Sequence, residues 1–194
     1  MVYLARHADT EWSAGGRHTS RTDLPLTAEG ERRAARLGAL LRALRGPDAP
    51  PPVLLTSPRR RAMHTAELAG LPSPTILDEL AEWDYGEYEG LTTPQIRESV
   101  PGWTVWTHPC PGGETAGQVS ARADRVLTRV AELLPSGDVV LVGHGHFSRV
   151  LAARWIGLPA TCGVHLALDP GCLTVLGHER GVPRLDHVNL PPLG

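Results

Sequence analysis

No apolar run in the chain approaches the roughly eighteen residues that a membrane-crossing helix needs. The opening residues, Met1 to His7, carry no basic stretch ahead of an apolar core. Both absences lead to the expectation of a cytoplasmic chain that neither spans nor binds a membrane. An excess of either charge is also missing. A net charge of -2 and a pI near 6.5 provide no global field to draw in nucleic acid or anionic lipid. Cysteine is scarce, and Cys110, Cys162 and Cys172 are an odd number without metal-ligand spacing, which argues against a disulfide framework. The nine histidines include no His-x-x-x-His pair of the zinc-hydrolase kind. Internal repeats and low-complexity runs are absent too.

What is present fits an ordinary globular protein. The 194 residues, 41% apolar and 21% charged, are enough to bury a core as one large domain carrying a modest lobe. Many of the 18 prolines and 21 glycines gather at punctuation points, such as Gly46 to Pro52 and Pro109 to Gly113.

Val2 to Ala5 is a short apolar run of the buried-strand kind, ending at Arg6-His7. After a polar, Gly-rich loop from Ser13 to Asp23, Thr27 caps a helix whose apolar stripe is Leu37, Leu40, Leu41 and Leu44. Gly46-Pro47 stops it. Val53 to Thr56 reads as a second strand, running through Ser57-Pro58 into a helix that reaches about Leu68, and Thr75 to Leu80 as a third strand. Residues 81–114 hold five of the nine aromatics, with Pro94 and Pro101 breaking any long element, and read as an inserted lobe or lid. Thr115 or Glu114 opens the clearest helix, striped by Val119, Ala123, Val126, Leu127, Val130, Leu133 and Leu134. Asp138 to Val142 is a strand ending at Gly143-His144-Gly145-His146, followed by a helix from about Ser148 to Ile156. Cys172 to Leu176 and Leu185 to Val188 read as closing strands. Strands alternating with helices predict an α/β fold: a three-layer sandwich with a mostly parallel central sheet and helices on both faces. Ligands of such sheets bind at the carboxyl ends of the strands, and both His7 and His144 stand at such ends.

A histidine past a strand is ordinarily a surface or hydrogen-bonded residue. Arg6 beside it changes the reading, because a fixed guanidinium next to an imidazole suits a phosphate dianion. The basic run Arg59-Arg60-Arg61 opens another helix, where solvated charge is the plain reading and an anion site the sharper one. Glu82, Asp84, Glu87 and Glu89 stand among aromatics, where an acidic turn is the plain reading; a carboxyl group beside Trp83 and Tyr85 would be partly desolvated and suited to proton donation.

These residues carry a resemblance. Arg6-His7-Ala8-Asp9-Thr10 resembles the Arg-His-Gly-Glu-Thr motif of the histidine phosphatase superfamily, in its phosphoglycerate-mutase-like branch. Thr22 to Thr27 with Gly30, Ser57-Pro58 with Arg61-Ala62 and Thr65-Ala66, Glu82 with Gly86, Glu89 and Gly90, Gly112 to Thr115, and His144-Gly145 with Arg149 match its further motifs in order. The resemblance implies that His7 is the nucleophile. It also implies that Arg6, Arg61 and His144 bind the phosphoryl oxygens, and that Glu82 donates a proton to the leaving group and then activates water. A neutral imidazole, with a reference pKa of ~6.5, can attack phosphorus at neutral pH, and fixed cations stabilise the charge on the transferring group. No metal and no cofactor is implied.

Ala8-Asp9 departs from the family's Gly-Glu, and His146 stands where the family often has glycine. Mutases of the branch usually carry Glu-Arg-His-Tyr-Gly where this chain has Glu82-Trp83-Asp84-Tyr85-Gly86. The missing arginine and the short tail after Val188 favour hydrolysis over phosphoryl return to a second hydroxyl. Gly16 to Asp23, the Glu82 motif and His144-Gly145-His146 look most like sedoheptulose-bisphosphatase-like and acid-phosphatase-like members, which implies a small sugar phosphate or similar metabolite as partner. Ser13, Thr19, Ser20, Arg21 and Tyr85 are the candidates for reading the rest of that substrate, and His146 either supports the site from behind or touches the ligand. A homodimer is compatible with this reading. The competing expectations are a cofactor-dependent phosphoglycerate mutase and a phospholigand-binding protein of weak activity, with Ala8 and Asp9 as the suspect changes.

Overall fold

In strand β1 (Val2–Arg6), Val2 and Leu4 face one side and Tyr3 and Ala5 the other, and all four are buried. A strand buried on both faces needs cover on both sides, and the computed structural model, which describes residues 1–192, supplies it. The helices are α1 (Glu11–Ala14), α2 (Ala28–Arg45), α3 (Arg60–Leu68), α4 (Thr93–Ser99), α5 (Ala116–Leu133) and α6 (Gly145–Trp155). The other strands are β2 (Val53–Thr56), β3 (Thr75–Ile76), β4 (Val139–Gly143), β5 (Leu173–Glu179) and β6 (Val182–Leu190). The sheet order is β3-β2-β4-β1-β5-β6; the first four strands are parallel, β5 is antiparallel to β1, and β6 to β5.

Leu37, Leu40 and Leu41 of α2 and Ala62 and Ala66 of α3 cover the face bearing Tyr3, Ala5, Leu54, Val140 and Val142. On the other face, Val119, Ala123, Val126 and Val130 of α5 and Phe147, Val150 and Leu151 of α6 pack on Val2, Leu4, Leu55, Val139 and Leu141. This is the three-layer α/β sandwich that the alternation of elements predicts. The aromatics of residues 81–114 join the second core: Trp83, Tyr85, Trp103 and Trp106 are all buried within it.

Several boundaries differ from the sequence reading. Only Thr75–Ile76 of the expected third strand pairs with β2, at the sheet edge, and Asp78–Leu80 winds into a 3-10 turn that carries Leu80 into the core. Pro94 starts a helix rather than breaking one. It occupies the first turn of α4, where no N–H is required, behind a capping box of Thr92 and Gln95. A single helical turn, α1, precedes the polar loop, capped by Thr10 with Ser13. Helix α6 begins at Gly145, three residues before the expected start at about Ser148, because a distant carboxylate takes up its first N–H groups. The closing strands form a longer hairpin, β5–β6, whose two-residue turn, Arg180-Gly181, has positive φ at both positions as the strand twist requires.

Register places the chemistry. Arg6 pairs with Gly143 and Thr56 with Val142, so β1, β4 and β2 end level and hand over to His7, His144 and Ser57 side by side. The backbone N–H groups of His7 and Ser57 donate to the Gly143 and Val142 carbonyls at 2.9 and 3.0 Å.

Candidate active site

His7 is buried, and its Nδ1 lies 2.8 Å from the Ala8 carbonyl oxygen. A carbonyl only accepts, so Nδ1 carries the proton and Nε2 keeps its lone pair. Burial holds its pKa well below the ordinary 6.5, and the cationic Arg61 and Arg6 push the same way. The imidazole is therefore neutral with a free Nε2, the form a nucleophile needs.

The His144 ring stands edge-on to His7, 5.2 Å between centroids. Arg61 donates to His144 Nδ1 at 3.2 Å, so the His144 proton sits on Nε2 and is donated to Ser57 Oγ at 2.7 Å. Arg61 also donates to the carbonyls of Thr22, Thr19 and Ser20. Both Arg61 and His144 are fully buried, with burial as the first cause of their lowered pKa values. His144 thereby connects the His7 ring to Arg61, and neither His144 nor Arg61 lines the cavity itself.

Arg6 donates one N–H to the Leu168 carbonyl at 2.8 Å, while its buried Nε has no partner. Gly145 makes room for this guanidinium: a Cβ there would lie 3.1 Å from Arg6 Cζ. The N-terminus of α6 lies beside Arg6, and its dipole is met by the Glu82 carboxylate, which takes the His146 and Phe147 N–H groups.

Glu82 is buried, yet three backbone N–H groups meet its carboxylate. Trp83 and Phe147 donate to Oε1 at 2.8 Å each, and His146 donates to Oε2 at 3.0 Å. The desolvation expected from its aromatic neighbours is thus met by hydrogen bonds. Arg122, which sequence reasoning passed over, holds the segment in place. It donates to the carbonyls of Glu79, Ala81 and Glu82, pairs with Glu114, and lies 4.0 Å over the Phe147 ring.

A cavity of about 180 Å³ opens over His7, Arg6 and Glu82. Of the expected substrate readers, Ser13, Thr19 and Tyr85 line it. Ser20 and Arg21 do not: Ser20 is buried and donates to Glu89, and Arg21 is solvent-exposed and paired with Asp84. His146 and Arg149 also line the cavity, as does His18, a residue that no local pattern singled out. Ala8 and Asp9 turn away. Ala8 packs with Leu26 and Ala34, and Asp9 pairs with Arg33 at 3.1 Å. Among the described residues, no three His, Cys, Asp or Glu side chains gather as a metal site, and no helix is long and apolar enough to cross a membrane.

A neutral strand-end imidazole, a guanidinium for an anion, and a carboxyl group share one small cavity on an α/β sheet, an arrangement suited to phosphoryl transfer. Residues 2–191 match the model of the histidine phosphatase superfamily (branch 1), and the chain belongs to that family. It is 48% identical over 184 residues to an acid phosphatase of Mycobacterium tuberculosis, covering 95% of this chain and 89% of that one. It is 34% identical over 182 residues to the sedoheptulose 1,7-bisphosphatase of Saccharomyces cerevisiae, covering 80% and 67%. Among solved structures, a Mycobacterium tuberculosis open-reading-frame product superposes with a TM-score of 0.94 at 46% identity, over 99% of this chain and 98% of that one. A mycobacterial glucosyl-3-phosphoglycerate phosphatase superposes with a TM-score of 0.82 at 27% identity, over 97% and 98%. The chain is a phosphatase of this family.

Proposed function

We propose that the chain hydrolyses small sugar phosphates through a phosphohistidine on His7. The observation that carries the reading is the 2.8 Å bond from His7 Nδ1 to the Ala8 carbonyl, which leaves Nε2 as the free nitrogen beside Arg6 and Glu82. Nε2 attacks phosphorus as the ester oxygen departs. Glu82 gives that oxygen its proton, from Oε2, the oxygen that takes only one of the three backbone bonds. The resulting carboxylate then removes a proton from water as the water oxygen attacks phospho-His7. The P–N bond breaks, inorganic phosphate leaves, and Glu82 regains its proton. Arg6 holds the phosphoryl oxygens, and the Arg61 guanidinium and the neutral His144 add the phosphoryl contacts that the family resemblance assigns to them. Residues 81–114 act as the lobe over this cleft within a single catalytic unit. The small cavity and the sugar-phosphate phosphatases among the relatives support the substrate class.

The test is hydrolysis of a panel of sugar phosphates and phosphoglycerates, with and without EDTA, by wild type and His7→Ala. The expected result is free phosphate, insensitive to EDTA, an acid-labile phosphoenzyme, and at least a roughly 10³-fold loss in the variant. Full activity of His7→Ala overturns the mechanism, and phosphoglycerate interconversion that needs a bisphosphorylated primer replaces it with the mutase.

A further inference from the structure

Beyond His7 and Glu82, two more histidines line the same cavity from unrelated parts of the chain. His18 arrives on the loop after α1, and His146 on the first turn of α6. Each has one ring nitrogen engaged by a protein hydroxyl. His18 Nε2 lies 3.1 Å from Thr93 Oγ1, and His146 Nδ1 lies 2.6 Å from the Tyr85 hydroxyl. Each therefore keeps its other nitrogen, His18 Nδ1 and His146 Nε2, free of these bonds. Aromatic neighbours fix both rings. His18 sits against Tyr85 and Trp103 at 4.8 and 5.2 Å, and His146 against Trp106 at 5.2 Å, with 5.9 Å between the two imidazoles.

The chemistry of these nitrogens is neutral. Burial pushes the His18 pKa down to about 4, against a weaker upward pull from Glu89. Burial holds His146 well below its ordinary value, and the charge of Arg149 acts in the same sense. Tyr85 is held in its phenol form by burial, and its hydroxyl can give or take the bond to His146 Nδ1, so His146 Nε2 is a donor in one tautomer and an acceptor in the other. A pair of neutral ring nitrogens, each able to donate or accept as the Tyr85 and Thr93 hydroxyls turn, suits hydroxyl groups, which do both. It has no net charge to offer a carboxylate.

We propose that His18 and His146 form the subsite that reads the hydroxyl groups of the leaving group, selecting polyhydroxylated phosphate esters. This rests on the phosphatase reading above. The residues need not touch the transferring phosphoryl group; they set which alcohol is released.

The experiment compares kcat/KM for glucose 6-phosphate and erythrose 4-phosphate with that for p-nitrophenyl phosphate, which has no leaving-group hydroxyls, in wild type, His18→Phe and His146→Phe. The ratio of the better sugar ester to the aryl ester falls about 10- to 100-fold in each variant, as expected where a site built to bond a hydroxyl loses its partner. His146→Gln, whose amide N–H reaches near the Nε2 position, recovers part of the ratio. Should His146→Phe fail to fold, His18→Phe and His146→Gln still decide the matter. A ratio within about twofold of wild type in the folded variants overturns the proposal. So does an equal loss on both ester classes, which assigns the pair to support of the fold. A wild-type protein inactive on every ester sinks the phosphatase reading instead, and is distinct from these outcomes.

Discussion

At the scale of single residues, protonation is decided by who accepts from whom. The Ala8 carbonyl fixes the His7 proton on Nδ1, and Arg61 fixes the His144 proton on Nε2 by occupying its Nδ1. Burial and the charges of Arg61 and Arg6 lower the His7 pKa, so the neutral imidazole, the form the proposed nucleophile needs, persists as pH falls past 6.5. The expected outcome is a kcat/KM profile for an aryl phosphate with no acid limb near pH 6.5, and at least about half the pH 7 value kept at pH 5.5. An acid limb at or above pH 6.5, once the ester's own ionisation is corrected for, would mean that burial and the two arginines do not hold His7 neutral. The same scale explains the departures next to the nucleophile. Ala8 fills a small apolar niche and Asp9 reaches Arg33, so neither intrudes on the cavity. This removes the particular ground on which a ligand-binding protein of weak activity rested.

At the scale of elements, Glu82 belongs to no helix or strand, and its position depends on two helices that come later in the chain. The first turn of α6 donates to its carboxylate, and Arg122 of α5 gathers the carbonyls on either side of it. Replacing Arg122 by Met keeps the apolar stem over Phe147 but leaves those carbonyls and the Glu114 carboxylate without a partner. The expected cost is about 3 kcal/mol of stability, as for removing one partner of a largely buried ion pair. It is read as a lowered denaturant midpoint with an unchanged slope. Activity at temperatures where the variant remains folded falls by about tenfold or more in kcat, because Glu82 has lost its support. A variant with wild-type stability and kcat would show that the α6 bonds hold Glu82 alone. Element boundaries tell the same story: α6 starts at Gly145 because Glu82 satisfies its first N–H groups, and nothing local to residues 145–148 announces this.

At the scale of the whole molecule, the site concentrates neutral histidines in a buried centre rich in arginine. His7, His18, His144 and His146 all have pKa values below that of free imidazole, with burial the largest cause in each case. In the unfolded chain these rings take up protons as pH falls through about 6.5, while in the fold they stay neutral to lower pH. The unfolded state then binds more protons, so stability is intact above about pH 6.5 and is lost as pH falls toward the folded values, about 4 for His18. Each such histidine steepens the fall by up to ~1.4 kcal/mol per pH unit. Thermal unfolding from pH 7 to pH 5 is expected to show a marked decline in Tm, shallower in His18→Phe; a flat profile contradicts it.

The sandwich and its doubly buried strands were legible in the chain, and Arg6, His7, Arg61, Glu82 and His144 could be named from it as candidates, because strand burial and motif chemistry are local in sequence. The two-residue extent of β3, the helical start at Pro94 and the early start of α6 were not, since long-range partners override local preference there. The sequence by itself determined which side chains could do phosphoryl chemistry and on what kind of sheet. Only the tertiary structure decided which of them face the cavity. Register levelled the strand ends that present His7, Ser57 and His144, and packing turned Ser20 and Arg21 away while bringing His18 in. The Ala8 carbonyl, next in sequence, places the His7 proton, but the direction of a side chain and the proton of His144, held between Arg61 and Ser57, are set by contacts across the fold that local sequence does not encode.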